Sequence, residues 1–360
     1  MTLDALLRPE LATLKAYVPH PCPPDAVRLD ANESPWALDD ATREHLAETL
    51  RAVPLHRYPD VRATALREAI AAREDCHPDQ IVLGSGSDEV IALVQNALSR
   101  PRPGRASATV LAPRPSFVMY GITARTLGLV PAYVDLDPQR WDLSLSAITA
   151  AIDAWRPNVT FLPSPNNPTG NLLDGAALDA AIAASDGLVV LDEAYGAFAG
   201  VTYRDRRKRH GHVAQLQTLS KVGLAAIRVG WAILPPRVAA AVEKVRQPYN
   251  LNALSQAVAT RCLTDLAPAL QSTVDRVVAA RADLALALGT IDGVRVDRSD
   301  ANFLWVELPV ETGPVHAALA ARGVLVRSFH ADPSLVRRMR ITVGTPEECR
   351  RCVEALRAVL

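Results

Sequence analysis

Four short apolar runs recur through the first two thirds of the chain: QIVLG (80–84), ATVLA (108–112), NVTFLP (158–163) and GLVVLDEAY (187–195). Each is rich in β-branched residues and bounded by Gly, Pro or polar turns, a pattern that predicts buried strands. Between them the spacing changes to that of helices. Val90, Ile91, Leu93, Val94, Ala97 and Leu98 fall on one face, and residues 173–185 form a second amphipathic stretch. Strands alternating with helices predict an α/β domain, with a mostly parallel sheet covered on both sides.

The texture changes after about residue 250. A long helical stretch (253–290) leads into ANFLWVEL, a helix near 314–322, GVLVR, MRITVG and a closing helix. This predicts a smaller α+β domain. The first 45 residues have little strand character of their own and are expected to pack against it, which sets the large domain at 46–250 and the small one at 1–45 with 251–360.

Composition narrows the partners. The 39 basic and 39 acidic residues cancel, so no overall field draws the chain to nucleic acid or an anionic membrane, and a small-molecule partner is favoured. The N-terminal stretch interrupts its apolar residues with Asp4, Arg8, Glu10 and Lys15, unlike a secretory signal, and no later run reaches a membrane span. A cytoplasmic protein is expected. Cys22, Cys76, Cys262, Cys349 and Cys352 make a poor disulfide framework. Cys349 and Cys352 form a C-x-x-C pair without a second ligand pair, and read as two residues of an amphipathic helix; no metal is expected. The basic run Arg204, Arg206, Arg207, Lys208, Arg209 has no aromatic interleaving and reads as a solvated surface loop.

The candidate chemistry gathers at strand ends. In LQTLSKVGLAAIRVGW (216–231), Thr218, Ser220 and Arg228 surround Lys221. Hydroxyls and a guanidinium can hold a phosphate while the lysine amine condenses with a carbonyl. Asp192 ends an apolar strand, where a half-buried carboxylate needs a cation, a metal or a helix to cap. SPNNPTG (164–170) fixes a turn that can aim Asn167 inward, and Tyr195 stands three residues after Asp192. LGSGSDE (83–89) runs from strand into helix and offers free N–H groups to an anion. It lacks the third glycine of a dinucleotide fingerprint and the Gly-Lys of a P-loop.

In order and combination these segments resemble fold type I aminotransferases of the histidinol-phosphate aminotransferase family. The likeness runs nearly end to end, through LDANESP (29–35), RYPD (57–60), LGSGSDE, PSFVMY (115–120), SPNNPTG, LDEAYGAF, TLSK, RQPYNLN (246–252), ANFLW, GVLVR and RITVGTPEE (340–348). The resemblance implies pyridoxal phosphate held by Lys221 as a Schiff base. Asp192 would pair with the pyridine nitrogen, Asn167 and Tyr195 would contact the ring oxygen, and Phe117 would stack on the ring. The cofactor phosphate would rest on Gly86, Ser87 and Asp88, with Thr218, Ser220 and Arg228 adding donors. Tyr58 would reach the phosphate of a neighbouring subunit's cofactor, making the homodimer part of each site. Tyr17, Asn32, Arg327 and Arg340 match positions near the substrate. The implied reaction passes the amino group of histidinol phosphate to 2-oxoglutarate in ping-pong order, a step of histidine biosynthesis.

Three departures and three alternatives accompany this reading. The stretch from Lys221 to Arg228 is one residue shorter than the commonest family pattern, Ala226 stands where glycine is frequent, and Arg114 replaces an acidic or neutral residue. An aromatic amino acid aminotransferase or a threonine-phosphate decarboxylase would share the cofactor set. A non-catalytic pyridoxal phosphate sensor would share the fold without the turnover.

Overall fold

The computed structural model describes residues 3–8, 11 and 25–360. Tyr17 and Cys22 lie outside the described residues. In chain order the strands are β1 (Val27–Leu29), β2 (Ile81–Ser85), β3 (Thr109–Arg114), β4 (Val130–Asp135), β5 (Val159–Pro163), β6 (Leu188–Asp192), β7 (Val213–Thr218), β8 (Val229–Ile233), β9 (Arg295–Val296), β10 (Phe303–Glu307), β11 (Val324–Ser328) and β12 (Arg338–Thr342).

Seven of these form one sheet in the order β2-β8-β7-β6-β5-β3-β4. Its pairings from β4 through β7 are parallel, and β8 runs antiparallel to both β7 and β2. Every residue of β5 and β6 is buried, which is why both read as unbroken apolar runs rather than alternating ones. Helices on the two faces bury separate apolar layers, one around Val90, Val94, Phe161 and Val190, the other around Ile148, Leu162, Leu178 and Leu191. Each fully buried Leu, Ile, Val or Phe contributes about 1.5–3 kcal/mol relative to exposure.

The second sheet has five strands in the order β1-β11-β12-β10-β9. β1 pairs in parallel with β11, so the N-terminal segment joins a sheet built mainly from the C-terminal part. Leu29, Leu304, Val326 and Ile341 pack there against Leu284, Leu288, Val353 and Leu356.

The structure departs from the sequence pattern in three places. The apolar run 187–195 ends as a strand at Asp192 and turns there. The stretch 253–290 is two helices, Ala253–Leu263 and Ala267–Gly289, because Thr264 leaves helical geometry (φ −108°, ψ −105°) and Pro268 opens the second helix. A proline has no N–H to bond the preceding turn. The basic run is a short helix, Arg204–Arg209, and not a solvated loop. Its charges have partners elsewhere in the chain: Arg204 meets Glu74 at 3.2 Å and Arg206 meets Asp179 at 2.7 Å. Lys208 pairs with Asp75, and the buried Arg207 donates to Gln215 and to the carbonyl of Glu74.

Cys349 and Cys352 lie buried on the helix Pro346–Arg357, where burial pushes their thiols up to about 11 and about 12. Among the described residues no helix is long and apolar enough to cross a membrane.

Candidate active site

The carboxyl ends of the parallel strands converge on one cleft, the expected place for a ligand in an open α/β sheet. β5 leads into the turn Ser164–Gly170, β6 ends on Asp192, and β7 ends on Thr218 and runs into the turn that carries Lys221. β2 arrives from the antiparallel side and opens into the helix Ser87–Ala97.

That helix start forms a cradle. Gly86 caps it at φ +82°, and its N–H donates to the Arg228 carbonyl at 2.9 Å. A Cβ on Gly86 would stand 2.3 Å from Nη2 of Arg228, so glycine alone lets the guanidinium lie against the loop. The N–H groups of Ser87 and Asp88 begin the helix and have no intrahelical acceptor. Arg228 also donates to Ser220 Oγ at 3.1 Å and lies 3.5 Å from the Asp88 carboxylate. Thr218 Oγ1 bonds Ser220 Oγ at 3.1 Å. The shortened stretch from Lys221 does not prevent this gathering. A π-helical turn, Ser220–Leu224, passes into a 3-10 turn, Ala225–Ile227, and Arg228 takes left-handed geometry (φ 52°) that returns its side chain to the cradle.

Asp192 is the buried charge of the cleft, at 4% exposure. Burial pushes its carboxyl up to about 6, against the hydrogen bonds from Tyr120 Oη (2.6 Å) and the Ala194 N–H (2.9 Å) and the nearby Lys221 charge. Among the described residues it has no ion pair. The sequence reading gave Tyr120 no role, yet it is wholly buried, stacks on Phe161 at 4.5 Å and meets Phe117 edge-on at 5.6 Å. Its hydroxyl links the ring wall of the cleft to the acid at its floor.

Two polar side chains are oriented by chains of hydrogen bonds. Thr342 Oγ1 donates to Asn32 Oδ1 at 3.1 Å, which leaves Asn32 Nδ2 to donate to Tyr195 Oη at 2.9 Å. Tyr195 therefore accepts on its oxygen and keeps its proton for another acceptor. Asn32, at 1% exposure and φ 56°, also donates its backbone N–H to Thr342 and accepts from Asn302. It stands behind Tyr195 and positions it. Lys221 Nζ lies 6.0 Å from the centre of the Tyr195 ring. On the other side Arg340 Nη1 donates to Asn167 Oδ1 at 2.7 Å. A guanidinium can only donate, so the amide oxygen must face it and Nδ2 of Asn167 is left as the donor for another acceptor. Asn166, the neighbour that sequence reasoning passed over, is fully buried and ties the turn to Pro115, Ser116 and Thr169.

Arg340 is buried, bonds the Asp30 carbonyl and lies over Phe303. Arg327 stands directly opposite it in the β11–β12 register and is exposed. Directly opposed residues share a face, so the two arginine side chains leave the sheet on the same side. Arg114 points elsewhere: it pairs with Asp135 at 2.8 Å and lies over Tyr133 as a surface residue. Tyr58 is 81% exposed and stacks on Tyr249 at 4.7 Å, outside the polar cluster of the cleft.

The family model for class I and II aminotransferases matches residues 24–356. The histidinol-phosphate aminotransferase of Polaromonas naphthalenivorans is 39% identical to this chain, covering 98% of it and 96% of its own length. Histidinol-phosphate aminotransferase 2 of Nitrosococcus oceani is 38% identical and covers 99% of both chains. In fold, the crystal structure of the Sinorhizobium meliloti histidinol-phosphate aminotransferase in complex with pyridoxal 5'-phosphate superposes with a TM-score of 0.82, at 21% identity, over 98% of this chain and 97% of that one. A full-length match of this kind, on a sheet whose strand ends carry the cleft described above, places the chain in the class I and II aminotransferase family.

Proposed function

We propose that this chain is a pyridoxal-phosphate-dependent transaminase that converts L-histidinol phosphate and 2-oxoglutarate to imidazole-acetol phosphate and L-glutamate. The observation that carries the reading is Asp192: a buried carboxylate held up to about 6 and lacking an ion pair among the described residues, in the same cleft as Lys221. The protonated pyridine nitrogen of bound pyridoxal phosphate would supply the missing cation. The rest of the donor set fits the same molecule. The Gly86–Asp88 helix start, Thr218, Ser220 and Arg228 suit its phosphate, and Asn167 Nδ2 and the Tyr195 hydroxyl suit its ring oxygen. Phe117 borders the ring site beside Tyr120.

When bound, the cofactor supplies an aldehyde for the amine and a ring that accepts electrons from the carbon losing its proton. The chain's own groups do the rest. Lys221 Nζ is the base that takes the substrate Cα proton and later returns one. Asp192 would keep the ring nitrogen of the bound cofactor charged. Arg340 and Arg327 face the substrate with planar donor forks that suit both phosphate and carboxylate, as the two unlike substrates demand. Tyr17 is assigned beside them by resemblance and lies outside the described residues.

In this reading the large unit spans 46–250 and the small one 1–45 with 251–360. Two chains form a cytoplasmic homodimer in which the exposed Tyr58 reaches the neighbouring cradle.

The test incubates the chain, loaded with pyridoxal phosphate, with L-histidinol phosphate and 2-oxoglutarate and measures glutamate, against phenylalanine, tyrosine or aspartate as donor. Preference for histidinol phosphate is expected. Turnover with aromatic donors alone would overturn the substrate, and borohydride labelling of any residue but Lys221 would overturn the lysine's role.

A further inference from the structure

One face of the five-stranded sheet meets the large sheet's loops. In the β10–β12 register Glu307 stands opposite Arg338 and Trp305 opposite Arg340, so these four side chains share that face. The alternate residues, Val306, Met339 and Ile341 among them, pack on the other face with Leu288 and Val353.

Arg340 is engaged by Asn167, and Arg338, two residues earlier on the same strand, is engaged by Trp141, in the loop between β4 and the helix Leu145–Trp155. The Trp141 indole N–H donates to Asp297 Oδ2 at 3.1 Å, and Arg338 Nη1 donates to the same oxygen at 2.5 Å. The Arg338 guanidinium also lies 4.9 Å from the centre of the Trp141 ring, which meets Trp305 edge-on at 5.9 Å. Trp141, Trp305 and Arg338 are all buried, where charged contacts are strongest.

The backbone of Trp141 holds the other partner of Arg340. Trp141 takes left-handed geometry (φ 55°), which is costly for a bulky residue, and its N–H donates to the Asp137 carbonyl at 2.7 Å. Its carbonyl accepts from Asn171 Nδ2 at 3.0 Å, and the Asn171 carbonyl accepts the Asn166 N–H at 2.9 Å. Trp141 thus grips β12 with its side chain and the Asn167 turn with its main chain.

We infer that Trp141 is a positioning residue for the anionic substrate, acting through Asp297 and Arg338 to set where Arg340 stands against the Asn167 turn. The inference rests on the proposed reading of Arg340 as the fork that binds the substrate's anionic group.

The test measures the dissociation constant of glutarate for the cofactor-loaded enzyme by calorimetry. Glutarate has the two carboxylates of 2-oxoglutarate and no keto group to react. Trp141→Phe keeps a ring beside Arg338 and removes the indole donor, and it should weaken glutarate by about three- to tenfold. Asp297→Asn, which slackens the same joint from the other side, should also weaken it. In an Arg340→Gln background Trp141→Phe should have almost no further effect, because the group it positions is gone. Val353→Ala, a cavity behind the opposite face, should lower the melting temperature and leave glutarate binding unmoved. No weakening in either joint variant would overturn the role of Trp141, as would an equal weakening with and without Arg340 or a matching loss in Val353→Ala. Arg340→Gln binding glutarate as tightly as the unsubstituted enzyme would instead overturn the reading of Arg340, and the inference with it.

Discussion

Arg340 on β12 donates to the side-chain oxygen of Asn167 at 2.7 Å, joining the five-stranded sheet to the turn at the end of β5. In the proposed reading one guanidinium would serve two purposes, as a fork for an anionic substrate and as the group that fixes the orientation of the Asn167 amide. Arg340→Gln should raise KM for histidinol phosphate and 2-oxoglutarate by about 10- to 100-fold, the loss expected for hydrogen bonds to a charged group. Steady-state kinetics should also show a fall in kcat, because Asn167 loses its orienting donor. A rise in KM with kcat untouched would reduce Arg340 to a binding group.

Tyr120→Phe removes the hydroxyl that holds the Asp192 carboxylate in its charged form. The pKa of Asp192 should therefore climb further. The acid limb of the pH–kcat profile should move to higher pH, with kcat lower by about tenfold, in keeping with a lost charge-assisted hydrogen bond. An unmoved acid limb would mean that another group sets it.

The same carboxylate gives the cofactor-free protein a definite pH dependence. Its folded value, about 6, lies above the ordinary 3.8. The folded chain thus holds the proton more tightly than the unfolded chain, and this contribution to stability is complete below the ordinary value and lost as pH rises through about 6. Asp192→Asn, freed of cofactor, should lose less stability than the unsubstituted chain between about pH 4 and pH 7, by up to a few kcal/mol. Urea unfolding across that interval measures it, and parallel curves would rule out the buried charge as the cause.

Asn32→Asp exchanges a donor for an acceptor behind Tyr195. Tyr195 would then donate backward to the carboxylate and lose its hold on the ring oxygen. The expected result is a fall in kcat/KM of about tenfold or more with the fold intact by circular dichroism. Thr342→Val, which only frees the far end of the Asn32 amide, should have a smaller effect in the same direction.

Tyr58 tests the assembly. Tyr58→Ala and Lys221→Ala homodimers should each be weak or inactive, and mixing them in equal amounts after mild dissociation should restore about a quarter of full activity. Half of the random dimers would be hybrids, each with one intact site. No recovery on mixing would show that Tyr58 serves its own chain's site or none.

Much of the fold and part of the site were legible along the chain, because the groups lie in contiguous segments at strand ends. SPNNPTG, LDEAYGAF and TLSK each place a reactive side chain within a few residues of the strand that positions it. The relations that orient those side chains were not legible. Thr342 and Asn32 are 310 positions apart and Tyr120 and Asp192 are 72 apart, and no local pattern encodes such a meeting. The basic run 204–209 failed for the same reason, since the carboxylates that engage it come from residues 74, 75 and 179.

β12 places Arg340 and Thr342 two residues apart, on the same face of one strand. One reaches Asn167, the other reaches Tyr195 through Asn32, and these are the two groups assigned to the cofactor's ring oxygen. In the proposed reading substrate choice and cofactor acidity would therefore be inherited together. A lineage that altered β12 to welcome a new substrate would retune the ring in the same stroke, whereas exposed Arg327 on the adjoining strand can drift without touching either amide. New specificities in this chain should arise from β11 and the loops around it, with β12 left unchanged.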